Sequence, residues 1–138
     1  MHTLGLIFAM EEELSAFKKY IEIDKEYNIF DLTFIEGHYA NLKLILAKCG
    51  VGKVNAARCS QILIDNMQVD ALINVGVAGG LTDELSIGSL VVGEKLVQHD
   101  FDITAFNHEK GYIPDIGVYI PSDDYLIKKA LETSLKYN

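Results

Sequence analysis

Arginine is nearly missing from this sequence: Arg58 is the single one in 138 residues. Lysine and arginine together number 12 against 20 acidic residues, for a net charge of −8. Nucleic acid and anionic membrane surfaces both need a basic face, so this balance argues against either as a partner. Cysteine is scarce as well. Cys49 and Cys59 have neither metal-ligand spacing nor the density of a disulfide scaffold, which points to a reduced, cytoplasmic compartment. No run approaches the roughly 20 apolar residues of a membrane span. Leu4–Met10 is apolar, but it lacks a basic start and is followed at once by three glutamates, so it does not read as a secretory signal. What remains is ordinary for a globular chain, with 49% hydrophobic and 23% charged residues. That suffices for one compact domain over 1–138 with its own core.

The hydrophobic pattern alternates between strand and helix. Leu4–Phe8 is a short continuous apolar run, the mark of a strand buried on both faces. Glu11, Glu12 and Glu13 follow as the acidic first turn of a helix whose stripe begins at Leu14 and Phe17. Tyr27–Cys49 reads as strands, with Phe34–Tyr39 and Leu42–Ala47 joined by a turn at Ala40-Asn41. Gly50-Val51-Gly52 breaks that pattern, and Lys53–Met67 carries Ala56, Cys59, Leu63 and Met67 at helical spacing. Ala71–Val75 is another buried-type strand, closed by Gly76-Val77-Ala78-Gly79-Gly80. Leu90–Val97 reads as a strand too. Ser122 is a candidate N-cap for a last helix with Ile127, Ala130, Leu131 and Leu135, running almost to Asn138. Strands interleaved with helices predict an α/β fold around a mixed, largely parallel sheet, incomplete because no strand follows the last helix.

The glycine turns fail both phosphate-loop tests. Ala47 stands where a Walker loop needs its first glycine and Val54 where it needs Ser or Thr. Asn55 occupies the third glycine position of the dinucleotide fingerprint. What survives is two glycine-bearing turns at strand ends, where α/β folds place ligands. Each by itself is more simply a tight turn. The glutamate triplet is most simply a solvated helix start; the functional alternative is that one carboxylate turns back over the sheet end as a general base on water. The pattern does not choose among the three. His99, Asp100 and Asp102 read as a polar loop, because no second histidine lies at ligand spacing. Phe106 and Pro114 in that polar stretch hint at an interface or a ligand lid.

Taken in order, four segments resemble the 5′-methylthioadenosine/S-adenosylhomocysteine nucleosidases of the nucleoside phosphorylase superfamily. They are Ala9–Glu13, Cys49–Ala57, Ile73–Leu81 and His99–Phe106. The glutamate triplet and the Asp102-x-Thr104-Ala105-Phe106 stretch are the specific parts. The resemblance implies a three-layer αβα nucleoside phosphorylase-like fold and hydrolysis of a purine N-glycosidic bond in methionine salvage, without metal or cofactor. It implies that Glu13 positions and deprotonates the attacking water and that Met10 lies along the ribose and thioether. Val51 would sit near water and sugar, while Val77, Ala78 and Gly79 line the nucleoside pocket. Ile103, Phe106 and Pro114 would reach into the neighbouring subunit's site and cover the 5′-alkylthio group, making a homodimer part of the active site.

Two departures accompany the resemblance. Val77 stands where many family members have serine, which removes a hydroxyl from the pocket. Family members are also considerably longer, and the missing part supplies the acid that protonates adenine and the glutamate that grips the ribose. The expectation is therefore a truncated form, a proteolytic product or one half whose remainder is a separate chain, inactive or nearly so alone. A phosphorylase would need guanidinium groups to clamp phosphate, and the places that carry them in the superfamily hold none here, so hydrolysis is favoured. Alternatives are another purine nucleoside hydrolase such as an aminofutalosine-type enzyme, a phosphorylase, or a non-catalytic nucleoside-binding fragment.

Overall fold

The apolar run at the start of the chain becomes an interior strand of a sheet, paired on both sides. The structure, a computed structural model, describes residues 2–135. Contacts divide the chain into two units, Met1–Gly79 and Gly80–Asn138.

The first unit contains β1 (Thr3–Phe8), α1 (Glu11–Lys18), β2 (Glu22–Ile29), β3 (Leu32–Tyr39), β4 (Leu42–Lys48), α2 (Lys53–Asp65) and β5 (Ala71–Asn74). The strand order is β2-β3-β4-β1-β5. β1 runs parallel to both β4 and β5, whereas β2-β3 and β3-β4 are antiparallel hairpins. The sheet is thus mixed, as expected, with its parallel portion centred on β1.

Side-chain alternation along β1 sorts the core into two faces. Leu4, Leu6 and Phe8 join Leu14 of α1, with Ile35, Leu44 and Leu46. Ile7 joins Cys59, Ile62 and Leu63 of α2, with Phe34, Ile45 and Ala47. Helix, sheet and helix form the three expected layers within this unit. Gly5 belongs to the α2 face, where a Cβ would lie 2.5 Å from a methyl of Leu72; the bare backbone lets Leu72 pack down onto β1. α1 has only two turns, and beside it an open apolar hollow of about 400 Å³ lies between Phe17, Ile21 and the sheet residues Leu4, Leu6, Ile73 and Val75.

The hairpin at Ala40-Asn41 forms as expected, with Ala40 in the left-handed region at φ 51°. β2 is the surprise, because it begins at Glu22 rather than near Tyr27. Its first five residues are all exposed, so no buried face imposes an alternating pattern. Glu22, Asp24, Lys25 and Glu26, with a register shift between Ile23 and Lys25, are what a protected sheet edge needs.

The second unit has little regular structure: β6 (Lys95–Leu96), a 3₁₀ turn (Thr104–Phe106), β7 (Ile120–Pro121) and α3 (Asp124–Ser134). The strand expected over Leu90–Val97 shrinks to two residues paired with β7. The pairing extends only to a bond from the Ser122 N–H to the Glu94 carbonyl at 2.9 Å; residues 90–93 belong to no strand, and an apolar run without a ladder is not a strand. The N-cap of α3 is Asp123 rather than Ser122, its Oδ1 accepting from the Leu126 N–H at 2.9 Å. The expected helical run beyond Leu135 falls outside the described residues. Every buried apolar side chain among the described residues belongs to the first unit. In the second, Leu81, Ile87 and Leu90 are at least 82% exposed.

Leu63 is fully buried in the α2 core. Leu63→Ala is expected to lower the unfolding free energy by about 2–5 kcal/mol in urea denaturation, whereas Leu81→Ala at a fully exposed site changes it by less than about 0.5 kcal/mol. Burial pushes the Cys59 thiol from 9.0 up to about 11, so folding favours the neutral form. The associated stability is present below pH 9 and is lost as the pH rises towards 11. Alkaline denaturation curves should show that decline, and Cys59→Ala should flatten it.

Candidate functional site

Because β4, β1 and β5 are parallel, their carboxyl ends lie along one edge of the sheet. Past the strands the ladder continues, with the Cys49 N–H donating to the Phe8 carbonyl and the Val75 N–H to the Ile7 carbonyl, both at 2.9 Å. Three loops are thereby brought side by side: Ala9-Met10, Cys49–Gly52 and Val75–Gly79. Ligands of open α/β sheets bind at this edge.

The structure distinguishes the three glutamates. Glu11 turns outward to Lys48 at 2.8 Å, and that hydrogen bond holds its carboxyl below the ordinary range. Glu12 is exposed. Glu13, at the third position of α1, turns back over the sheet edge. Its Oε2 accepts from the N–H groups of Ala9 at 2.9 Å and Met10 at 3.0 Å. Its Oε1 accepts from the Val77 N–H at 3.1 Å.

Part of this is ordinary helix chemistry. Met10 is the N-cap residue, in an extended conformation at φ −125° and ψ 159°, and its side chain has no oxygen to offer the first turn. A glutamate at the third position that reaches back to the N-cap N–H is half of a capping box. Capping does not require the bond to Val77, 64 residues further on. That bond joins the loop after β1 to the loop after β5, and it leaves the carboxylate at the rim where the loops meet.

The other residues of this edge follow. Met10 is half-buried beside Glu13. Val51 is exposed between Gly50 (φ 85°) and Gly52 (φ 111°), backbone conformations that side chains rarely tolerate. The Asn55 amide fastens this loop to α2 by donating to the Val51 carbonyl at 2.8 Å. Val77, Ala78 and Gly79 are exposed along the β5 loop, and the isopropyl group of Val77 stands 80% exposed. Met10, Val51, Val77, Ala78 and Gly79 thus occupy the three loops of one sheet edge, and Glu13 reaches over that edge from α1. The backbone donors Ala9 and Val77 had no signal in the sequence, since an N–H group is common to nearly every residue.

Arg58 is engaged elsewhere. From α2 it grips the Asp31 carboxylate with both terminal nitrogens, at 2.8 and 3.3 Å, and so fastens the β2-β3 turn. This pairing holds the Asp31 carboxyl below its ordinary value.

The second unit carries Ile103, Phe106 and Pro114. Asp102 Oδ1 accepts from both the N–H and the hydroxyl of Thr104, at 3.0 and 2.8 Å, and so initiates the 3₁₀ turn that holds Phe106. These bonds lower the Asp102 carboxyl and make it a turn-forming group. Phe106 is 77% exposed, Pro114 is exposed and Ile103 half-buried.

Comparison with known proteins adds relatives to this geometry. A 5′-methylthioadenosine/S-adenosylhomocysteine nucleosidase of Bacillus pumilus (strain SAFR-032) is 37% identical over 133 residues, covering 96% of this chain and 58% of the relative. The solved enzyme of that name from Neisseria meningitidis, in complex with methylthio-immucillin-A, superposes with a TM-score of 0.95 at 33% identity, covering all of this chain and 60% of that one. The futalosine hydrolase of Helicobacter pylori strain 26695 superposes with a TM-score of 0.93 at 30% identity, covering 99% and 59%. The chain therefore spans less than two thirds of the length of these relatives. The family model described as the Phosphorylase superfamily matches residues 3–137, nearly the whole chain, and the protein belongs to that superfamily.

Proposed function

We propose that the chain is the N-terminal part of a nucleosidase that hydrolyses the N-glycosidic bond of 5′-methylthioadenosine and S-adenosylhomocysteine, releasing adenine. One observation carries the reading: a single carboxylate of the glutamate triplet, Glu13, stands at the carboxyl edge of the parallel strands, held by N–H groups from two loops. Cleaving a ribosyl C–N bond builds oxocarbenium character at C1′, as in glycoside hydrolysis. A fixed carboxylate next to that carbon accepts a proton from the attacking water and favours the growing positive charge.

In this reading Met10 follows the thioether side of the ribose, Val51 lies near water and sugar, and Val77, Ala78 and Gly79 line the nucleoside pocket. Apolar contacts suit an alkylthio group and disfavour a hydrated 5′-hydroxyl. Ile103, Phe106 and Pro114 belong to a homodimer interface, where the exposed Phe106 covers the 5′ group of the neighbouring subunit's substrate. The two units form one nucleoside phosphorylase-like domain, completed by residues that this chain lacks, on the same or a separate polypeptide. Those residues supply the acid for adenine and the group that grips the ribose, so the chain alone turns over little or no substrate. A cytoplasmic place in methionine salvage accords with this chemistry.

A second hydrolase reading has its own support in the futalosine hydrolase fold-mate. Phosphorolysis is disfavoured, because the chain's one arginine is bound to Asp31. Adenine release from methylthioadenosine, measured with the chain joined to the remainder of the fold, tests these readings together. Activity independent of phosphate is expected, and Glu13→Gln should lower kcat by roughly 10²–10⁴. An undiminished rate in that variant overturns the assignment of Glu13. Preference for a 6-amino-6-deoxyfutalosine-type substrate selects the second reading.

A further inference from the structure

Gly76 lies next to Glu13, and its glycine is not demanded by the backbone. Five glycines of this chain adopt positive φ angles, and Gly76 is not among them. Nor does packing against the core demand it. A Cβ at this position would meet the carboxylate of Glu13 before anything else: 2.8 Å from Oε1, 3.3 Å from Cδ and 3.5 Å from Oε2. Alanine is therefore compatible with the chain conformation but not with the present place of the carboxylate.

The two oxygens are not equivalent. A carboxylate offers about four acceptor directions, two on each oxygen. Oε2 already accepts two N–H groups, from Ala9 and Met10. Oε1 accepts one, from Val77, and so retains an acceptor direction. The missing Cβ of Gly76 would stand beside that oxygen, at the distance of a hydrogen-bond partner.

We infer that Gly76 is a positioning residue: its bare Cα lets Glu13 reach the Val77 N–H and leaves Oε1 open as the oxygen that takes the proton of a bound water. The proton-accepting role rests on the nucleosidase reading; the placement of the carboxylate does not. The nearest atoms belong to the end of a flexible side chain, which can swing aside. A methyl group at position 76 therefore moves the carboxylate while leaving the fold intact.

Amide-detected pH titration of the isolated chain measures the placement directly. In the unsubstituted chain the N–H resonances of Ala9, Met10 and Val77 should share one carboxylate step, which Glu13→Gln abolishes at all three. In Gly76→Ala the step at Val77 should lose at least about half its amplitude while Ala9 and Met10 keep theirs. The thermal midpoint should stay near that of the parent. Gly76→Ser, which adds the same Cβ, should repeat the result. An unaltered step at Val77 in both variants overturns the inference, as does a loss of the fold in both. In the chain joined to the remainder of the fold, Gly76→Ala should lower kcat roughly tenfold or more with KM little changed. Unchanged kcat overturns the role assigned to Oε1. Absence of nucleosidase activity in the parent protein would instead strike the functional reading and leave the titration result standing.

Discussion

The arrangement of the first unit depends on a carboxylate that binds backbone rather than another charge. Glu13 ties the loop after β1 to the loop after β5 through three N–H groups. Hydrogen bonds to an ionised acceptor are roughly twice as strong as neutral ones, and here they link two loops far apart in sequence. The opposite end of β1 is treated alike. Asp70 Oδ2 accepts from the N–H groups of His2 and Thr3, at 2.6 and 2.9 Å, which pins the start of β1 to the turn before β5. β1, the strand between β4 and β5, is thus held at both ends by acidic side chains that need no basic partner, in a chain poor in arginine.

Much of this first unit was legible in the sequence because burial and periodicity coincide there. Leu4–Phe8 and Leu44–Ala47 are continuous apolar runs because both faces of their strands meet a helix. Lys53–Asp65 buries Cys59 and Leu63, with Ala56 and Met67 packed against the same core, and these four carry the spacing that announced a helix. The early half of β2 was illegible for the reverse reason: an exposed edge strand has no inner face to record. The choice among Glu11, Glu12 and Glu13 was equally hidden. It depends on a backbone donor at Val77, and proximity across 64 residues leaves no trace in local pattern. The resemblance singled out Glu13, and of the three it is Glu13 whose carboxylate lies over the strand ends.

The second unit shows what pattern reading does when the core is elsewhere. Leu90–Val97 has the composition of a strand, yet a strand is a set of hydrogen bonds to a neighbour, and only its stretch from Glu94 to Leu96 meets β7 and the residue after it. Local turn chemistry survives in the same region: Asp102 still builds its turn around Thr104, and Asp123 still caps α3. Short-range polar contacts are written into adjacent residues, whereas apolar burial requires a surface to be buried against.

The apolar hollow beside α1 has a practical consequence. Environment-sensitive dyes fluoresce in such greasy recesses, a behaviour more familiar from loosened, partly unfolded chains. Dye-based melting of this polypeptide will begin from a bright baseline, even at low temperature, with every native hydrogen bond in place. Its stability is better followed by circular dichroism, which reads the backbone and is blind to an oily surface.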